Sequence, residues 1–287
     1  MELRVLRYFL AVAEEGNITW AAQLLRISQP TLSRQLKQLE DELGVTLFRR
    51  GPHAITLTDE GRLLRERAQA IVSLADKTEI ELRQSESGLG GEIVIGCGEV
   101  RAMTFLSKRM AAFRRIHPNV RFQVTSTTSD IIQDRIEQGL MDFGLLTEPI
   151  DVSRYEYLRL DVPDRWGALV AENHPLASHD AVTPEDLEDE PLILPSRESV
   201  RRIIARWFGT ERAERLTIAG SCSLPSNGAN MAANGVGVFL CYDLGNTYPA
   251  ARMIPLDPVL TCDTVLVWKK QGARSPAAAE FGRFLNS

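Results

Sequence analysis

No run of apolar residues approaches the roughly 18–20 needed to span a bilayer, so a membrane-spanning helix is excluded. The start, Met1-Glu-Leu-Arg4, lacks a signal-peptide pattern, and a cytoplasmic location is expected. Cysteine is scarce: Cys97, Cys222, Cys241 and Cys262 stand far apart and form no C-x-x-C pair. The four histidines are scattered. That spacing offers no structural zinc set, so reduced thiols and no metal or resident cofactor are expected. No G-x-S-x-G is present and no histidine has an evident catalytic companion, which argues against a hydrolase. An excess of positive charge is missing too. Lys and Arg number 33 against 38 Asp and Glu, a net charge of −5. Dedicated nucleic-acid binders are often strongly basic, so such a role would have to rest on a local stripe. What remains is an ordinary globular composition, 44% hydrophobic and 25% charged, over 287 residues. That length suggests about two or three domains.

One stretch supplies a local stripe. Ala21-Ala-Gln-Leu-Leu-Arg-Ile-Ser-Gln-Pro-Thr-Leu-Ser-Arg-Gln-Leu-Lys-Gln-Leu-Glu40 reads as two short helices with a tight turn at Arg26 and Ile27. Ala21, Leu24 and Leu25 form the apolar stripe of the first. Ser28 is placed to cap the second, and Pro30 fits its first turn. Leu32, Leu36, Leu39 and Leu43 recur at helical spacing and mark a buried face. The opposite stripe carries Gln29, Ser33, Arg34 and Lys37. Arg suits guanine, Gln suits adenine, and Lys neutralises phosphate. Helix, turn, helix with a polar and basic outer face is a helix-turn-helix signature. An amphipathic helix with a solvated face is the plain alternative.

A preceding helix over Leu3 to Ala13 buries Leu6, Phe9, Leu10 and Ala13. After the second helix, Gly51-Pro52 turns between two short extended runs. This reads as a wing with Arg49, Arg50 and His53 near its tip, suited to phosphates or a minor groove. Thr58 then caps a long helix with Asp59 and Glu60 in its first turn. Leu64, Ala68, Ile71, Leu74, Ala75 and Leu82 predict a seam for pairing with a second copy.

Ser85-Glu-Ser-Gly-Leu-Gly-Gly91 is a hinge by composition. Beyond it, strands and helices alternate. Strands at Glu92–Gly96, Val120–Val124 and Phe143–Leu146 bracket helices at Met103–Ile116 and Asp130–Gln138, which implies a parallel sheet. A second set begins with separate strands at Tyr155–Val162 and Trp166–Ala171. It continues through Leu192–Leu194, a helix near Ser199–Phe208, Leu216–Ala219, a helix at Pro225–Ala233 and Val236–Cys241. A strand at Val265–Val267 and a helix at Ala277–Leu285 close the chain and can return to the first set. Two α/β lobes with a cleft between them follow, with crossings expected near 161–163 and 262–264.

These residues closely resemble the LysR-type transcriptional regulators of bacteria. The resemblance is carried by Leu6-Arg-Tyr-Phe-Leu-Ala-Val-Ala-Glu-Glu15, Ile27-Ser-Gln-Pro-Thr-Leu-Ser-Arg-Gln-Leu36, Leu39-Glu-Asp-Glu-Leu-Gly-Val-Thr-Leu-Phe-Arg49 and Leu57-Thr-Asp-Glu-Gly61. Looser matches are Phe113-Arg-Arg-Ile-His-Pro118, His174-Pro-Leu-Ala177 and Gly235-Val-Gly237. The resemblance implies an α/β chain opening with an all-α-rich winged helix-turn-helix, then a linker helix and a two-lobed, periplasmic-binding-protein-like effector domain. Expected bounds are 1–58 for the DNA-binding domain, 59–87 for the dimerising linker helix, 88–91 for a hinge and 92–287 for the effector domain. Its first lobe would take about 92–161 and 265–287, its second about 162–264.

By position, the resemblance places Gln29, Pro30, Ser33 and Arg34 at base edges. Ser28, Thr31, Lys37, Arg49, Arg50 and His53 hold or flank the DNA backbone. The implied partners are double-stranded promoter DNA, further copies of the chain as dimer or tetramer, RNA polymerase and a small-molecule effector. The matching cleft positions are Gly98, Glu99, Val100, Arg101, Thr127, Thr128, Ser129, Ser196, Arg197, Ser223 and Asn227. Ligands in open α/β sheets sit beyond the carboxyl ends of strands, where helix starts offer free N–H groups. Arg101 and Arg197 suit an anionic effector. Two departures from the family pattern bear on this pocket: Arg101 stands where a small apolar residue is usual, and Cys241-Tyr242 replaces a frequent leucine-proline. Redox sensing through Cys97 or another thiol is one alternative, and a ligand-binding module without DNA activity is another. Gly96-Cys-Gly98-Glu-Val-Arg101 mimics a dinucleotide fingerprint, but Arg101 occupies its third glycine.

Overall fold

The computed structural model describes residues 1–50, 55–83, 89–270 and 274–286. The chain forms two compact units, Met1–Glu86 and Ser87–Ser287. Among the described residues no helix is long and apolar enough to cross a membrane.

The first unit runs α1 (Leu3–Glu15), α2 (Ile18–Leu24), α3 (Gln29–Leu43), β1 (Phe48–Arg50), β2 (Ile55–Leu57) and α4 (Asp59–Arg83). Local chemistry sets these boundaries. Gly16 takes a positive φ of 61° and ends α1, and the Asn17 side chain then accepts the N–H groups of Thr19 and Trp20. Arg26 adopts φ 55° in the turn. Ser28 Oγ accepts the Thr31 N–H at 3.4 Å, and Gly44 closes α3. Leu6, Phe9, Val12, Ala21, Ala22, Leu32, Leu36 and Leu39 make the core. Leu24, expected inside, points out, and Ala22 takes its place. The Glu40 carboxylate accepts the N–H groups of Leu47 (2.7 Å) and Phe48 (3.3 Å), tying the β1–β2 pair to α3. Thr58 Oγ1 accepts the Gly61 N–H and donates to the Thr46 carbonyl. A Cβ at Gly61 would lie 2.1 Å from the Leu47 carbonyl oxygen, so this crossing requires glycine.

The α4 seam divides. Ala68 is fully buried and, with Leu64 and Val72, packs into this unit's own core beside α1. Arg7 of α1 pairs with Asp76 of α4. Ala75 is half-buried, whereas Ile71, Leu74 and Leu82 are exposed, joined by Leu63. Expecting one seam assumed that α4 had little of its own chain to cover it, and α1 provides that cover. The two rows lie on adjacent stripes of the helix, as its 3.6-residue period requires.

The second unit runs β3 (Gly91–Cys97), α5 (Met103–Ile116), β4 (Val120–Ser126), α6 (Ser129–Glu137), β5 (Phe143–Thr147) and β6 (Tyr155–Ala171). Then come a 3-10 turn (Pro175–Ser178), α7 (Pro184–Leu187), β7 (Leu192–Pro195), α8 (Glu198–Phe208), α9 (Thr210–Ala213), β8 (Ile218–Cys222) and α10 (Pro225–Ala233). It ends with β9 (Val238–Tyr242), β10 (Ala251–Pro255), β11 (Thr261–Lys269) and α11 (Pro276–Leu285). Of the expected hinge 88–91, residue 88 lies outside the described residues and Gly91 already opens β3. The strand order is β4-β3-β5-β11-β6-β9-β7-β8, with β10 also on β6. β3 is parallel to β4 and β5, and β7 is parallel to β8 and β9. One core gathers Ile95, Phe113, Phe143, Trp268 and Phe281, and another gathers Trp166, Leu194, Ile204, Phe208 and Leu240.

The two strands expected at Tyr155–Val162 and Trp166–Ala171 are one strand of 17 residues. It pairs with β11 from Tyr155 to Arg165, then with β9 and β10 from Trp166 on. Both sheets therefore share β6. Asp164, fully buried at the exchange of partners, accepts the Arg101 N–H and the Thr264 hydroxyl, each at 2.8 Å. The register of β11 shifts opposite it, between Cys262 and Thr264.

The two faces of α4 separate by mutation. Ala68→Glu buries an unpaired charge and should cost several kcal/mol. Leu74→Glu should leave unfolding of the N-terminal unit in place. Denaturant titration followed by circular dichroism checks this, and an unaltered midpoint for Ala68→Glu would contradict the packing.

Candidate functional site

In the first unit the candidate interface is the outer stripe of α3. The buried leucines fix the rotation of the helix, leaving Gln29, Pro30, Thr31, Arg34 and Lys37 exposed and Ser33 half-buried. Ser28 is occupied as a cap, with Thr31 Oγ1 2.8 Å from its hydroxyl. Lys37 pairs with Asp41 at 3.0 Å. Arg34 makes no ion pair among the described residues, so its guanidinium is open to an incoming acceptor. Arg49 is exposed on β1, opposite Thr56. His53 and the side chain of Arg50 lie outside the described residues. Trp20, on the first turn of α2, is 65% exposed and was not singled out in the sequence. Its spacing from Ala21 and Ala22 gave no sign that it would face outward.

In the second unit a cavity of about 420 Å³ opens where the strands of the two halves end. Gly98, Glu99 and Val100 enter it after β3. Thr127, Thr128 and Ser129 enter after β4, Ser196 and Arg197 after β7, and Ser223 after β8. Two expected residues stand outside the lining. The Arg101 N–H is held by Asp164, and its guanidinium lies toward Gly245, whose Cβ position would be 3.1 Å from Nη2. Asn227 is exposed on the first turn of α10.

The lining's polar groups differ in how far they are satisfied. Ser223 Oγ donates to Ser196 Oγ at 3.0 Å, joining two loops. The Arg197 guanidinium donates to Asp130 (3.1 Å) and to the carbonyls of Thr147 and Pro149, while its Nε has no partner. The helices that begin at the rim, α6, α8 and α10, carry no side-chain cap. α3, α7 and α11 do carry one, through Ser28, Thr183 and Ser275. Uncapped starts leave orphan N–H groups facing whatever enters.

Sequence reasoning missed the floor of this cavity. Trp166 and Tyr242 are cross-strand partners on β6 and β9, with ring centroids 4.5 Å apart. Trp166 Nε1 and the Tyr242 hydroxyl are buried without a hydrogen-bond partner among the described residues. The hydroxyl lies beside Thr147 and Cys262 but meets neither in bonding geometry. Each orphaned group costs about 1–3 kcal/mol. Burial raises the Tyr242 phenol well above its usual value, so it keeps its proton. The departure from leucine-proline at Cys241-Tyr242 was the only sequence signal for this pair.

Three of the four thiols are buried away from redox chemistry. Burial raises Cys97, Cys241 and Cys262, the last to about 11, away from thiolate. Cys222 pairs across to Pro195 of β7, and β9 flanks β7 on the other side through Ile193 and Phe239. With strands about 4.8 Å apart, Cys222 and Cys241 sit two spacings from each other. That exceeds the roughly 7 Å Cα reach of a disulfide.

Residues 3–62 match the bacterial regulatory helix-turn-helix model of the lysR family, and residues 86–287 match the LysR substrate binding domain. The chain belongs to the LysR family of transcriptional regulators, with a DNA-binding helix-turn-helix followed by an effector domain. It is 28% identical to the Hca operon transcriptional activator HcaR of Escherichia coli (strain K12) over 288 residues, 98% of this chain and 96% of HcaR. To AlsR of Bacillus subtilis (strain 168) it is 34% identical over 202 residues, 69% of this chain and 66% of AlsR. The fold superposes on the crystal structure of CbnR, a LysR family regulator, with a TM-score of 0.80 and 22% identity, covering 100% of this chain and 98% of that one.

Asp164 gives the site a pH signature. Burial lifts its carboxyl above the usual 3.8, against the Arg101 and Thr264 hydrogen bonds that lower it. The folded state therefore holds this proton more tightly than the unfolded chain does. Asp164 favours folding most below its unfolded pKa, and that contribution is lost as pH rises through the folded value. The Tm of the parent minus that of Asp164→Asn should rise as pH falls from about 7.5 to about 5. A difference that falls or stays flat would contradict an elevated carboxyl.

Proposed function

We propose that this chain binds promoter DNA through α3 and the β1–β2 wing, as an oligomer, and that a small anionic effector in the cleft of the second unit controls it. Gln29, Pro30, Ser33 and Arg34 meet base edges. Ser28, Thr31, Lys37, Arg49, Arg50 and His53 hold or flank the backbone. The observation that carries the DNA reading is Arg34, exposed and without an ion pair among the described residues, on a capped helix that also exposes Gln29 and whose other face is fixed in the core. LysR regulators bind promoter DNA and form oligomers, and CbnR has been solved with its target DNA. The exposed Leu63, Ile71, Leu74 and Leu82 of α4 supply the pairing face. On this reading residues 1–58 read DNA, 59–87 pair two copies, and 92–287 respond to the effector after a hinge at 88–91. The action is cytoplasmic.

Support for an anionic effector comes from the cavity, the three uncapped helix starts at its rim, and Arg197 with a free Nε. Effector binding favours one arrangement of the two halves, and the oligomer passes that preference to the spacing of the reading heads and to RNA polymerase.

Arg34→Ala tests the groove assignment. Fluorescence anisotropy with the DNA upstream of the chain's own gene should show affinity lower by about 1–3 kcal/mol, with helix content unchanged. An affinity equal to the parent's would refute it.

A further inference from the structure

The floor of the cleft differs in chemistry from its rim. At the rim are helix starts and Arg197, which suit a negative charge. At the floor are an indole and a phenol, both neutral, both donors and both without partners. Trp166 is 3% exposed, so water does not satisfy it. An indole N–H can only donate, and a phenol that keeps its proton donates as well. The group that completes this pair must therefore be an acceptor. It should also be uncharged, because a second carboxylate here would face the buried Asp164, close enough to act on both Tyr242 and Cys262, while the lining cation, Arg197, belongs to the rim. Between floor and rim the walls are apolar: Ile131, Leu145, Val200, Leu224 and Phe239.

We propose that Trp166 Nε1 and the Tyr242 hydroxyl together read one neutral oxygen of the effector, which is a compact apolar carboxylate carrying a keto, ester or ether oxygen at the end away from its charge. The inference rests on the cleft being the effector site and adds the class and orientation of what it holds. Tyr242 packs against the cores of both halves, so a ligand oxygen bonded to it is bonded where the halves meet. Removing the hydroxyl should not weaken the empty protein, because an orphaned group is lost and no bond is broken.

The test uses the full chain and two matched pairs of probes, 4-acetylbenzoate with 4-isopropylbenzoate, and 4-oxopentanoate with 4-methylpentanoate. Members of each pair share a shape and differ in the acceptor. Calorimetry on the parent should show the keto member of at least one pair binding about tenfold or more tightly than its partner. In Trp166→Phe and in Tyr242→Phe the ratio should fall to within about twofold, with the hydrocarbon member's affinity kept. The Tm of unliganded Tyr242→Phe should equal or exceed the parent's. Equal binding within both pairs, a preference that persists in both variants, or a lower Tm for Tyr242→Phe overturns the acceptor subsite and leaves the cleft reading standing. Ser196→Trp, which fills the mouth from an exposed loop position, should abolish binding of the preferred probe. Binding that survives it overturns the cleft itself as the site, and failure of all four probes to bind the parent overturns the proposed class.

Discussion

The second unit depends on β6 serving two sheets at once. A strand that keeps β11 on one stretch and β9 with β10 on the next cannot be cut without opening both sheets. Sharing it also decides where the site falls. The parallel strands β3 and β4 on one side and β7 and β8 on the other send the loops after their carboxyl ends into one cavity, and β5 and β9 add their last residues, Thr147 and Tyr242. Asp164 marks the exchange. Its carboxylate ties β6 to β11 through Thr264 and to the loop before α5 through Arg101. That bond fixes the Arg101 backbone in the loop before α5, and its guanidinium lies toward Gly245.

The first unit solves a different problem, that of making a DNA surface in an acidic chain. Bulk charge is unfavourable, with a net −5. The fold concentrates polar and basic groups on one face of α3 by burying Leu32, Leu36 and Leu39 on the other. Glu40 is turned inward to hold the wing strand, where its charge accepts backbone N–H groups. Lys37 is paired along the helix, and Arg34 makes no ion pair among the described residues. On the proposed reading, recognition rests on a small set of side chains held by a rigid scaffold.

Much of the fold was legible because local chemistry and burial agree there. α5 and α10 begin and end where periodicity and breakers place them, Met103–Ile116 and Pro225–Ala233. Ser28 caps α3 as its side chain suggests. What escaped is decided by distant partners. Pro163, Asp164 and Arg165 read as a break between strands, yet tertiary pairing carries β6 straight through them. β10, with Arg252 and Pro255 in five residues, lacks a strand-like run and exists because β6 offers an edge. The α4 seam was misread because sequence cannot show that α1 would cover Leu64 and Ala68. At the candidate site the loops after strands were foreseeable from topology. Trp166 and Tyr242 were not, because they sit inside strands, where only tertiary packing decides which polar atoms are left unpaired.

The acceptor proposed for this pair of donors is the central claim. The most direct measurement is a crystal structure of the full chain grown with 4-acetylbenzoate. The account predicts the probe in the cleft, with its keto oxygen about 3 Å from Trp166 Nε1 and its carboxylate at the starts of α6, α8 or α10. A probe bound the other way round, or a cleft left unfilled beside a fully occupied site elsewhere, would contradict it.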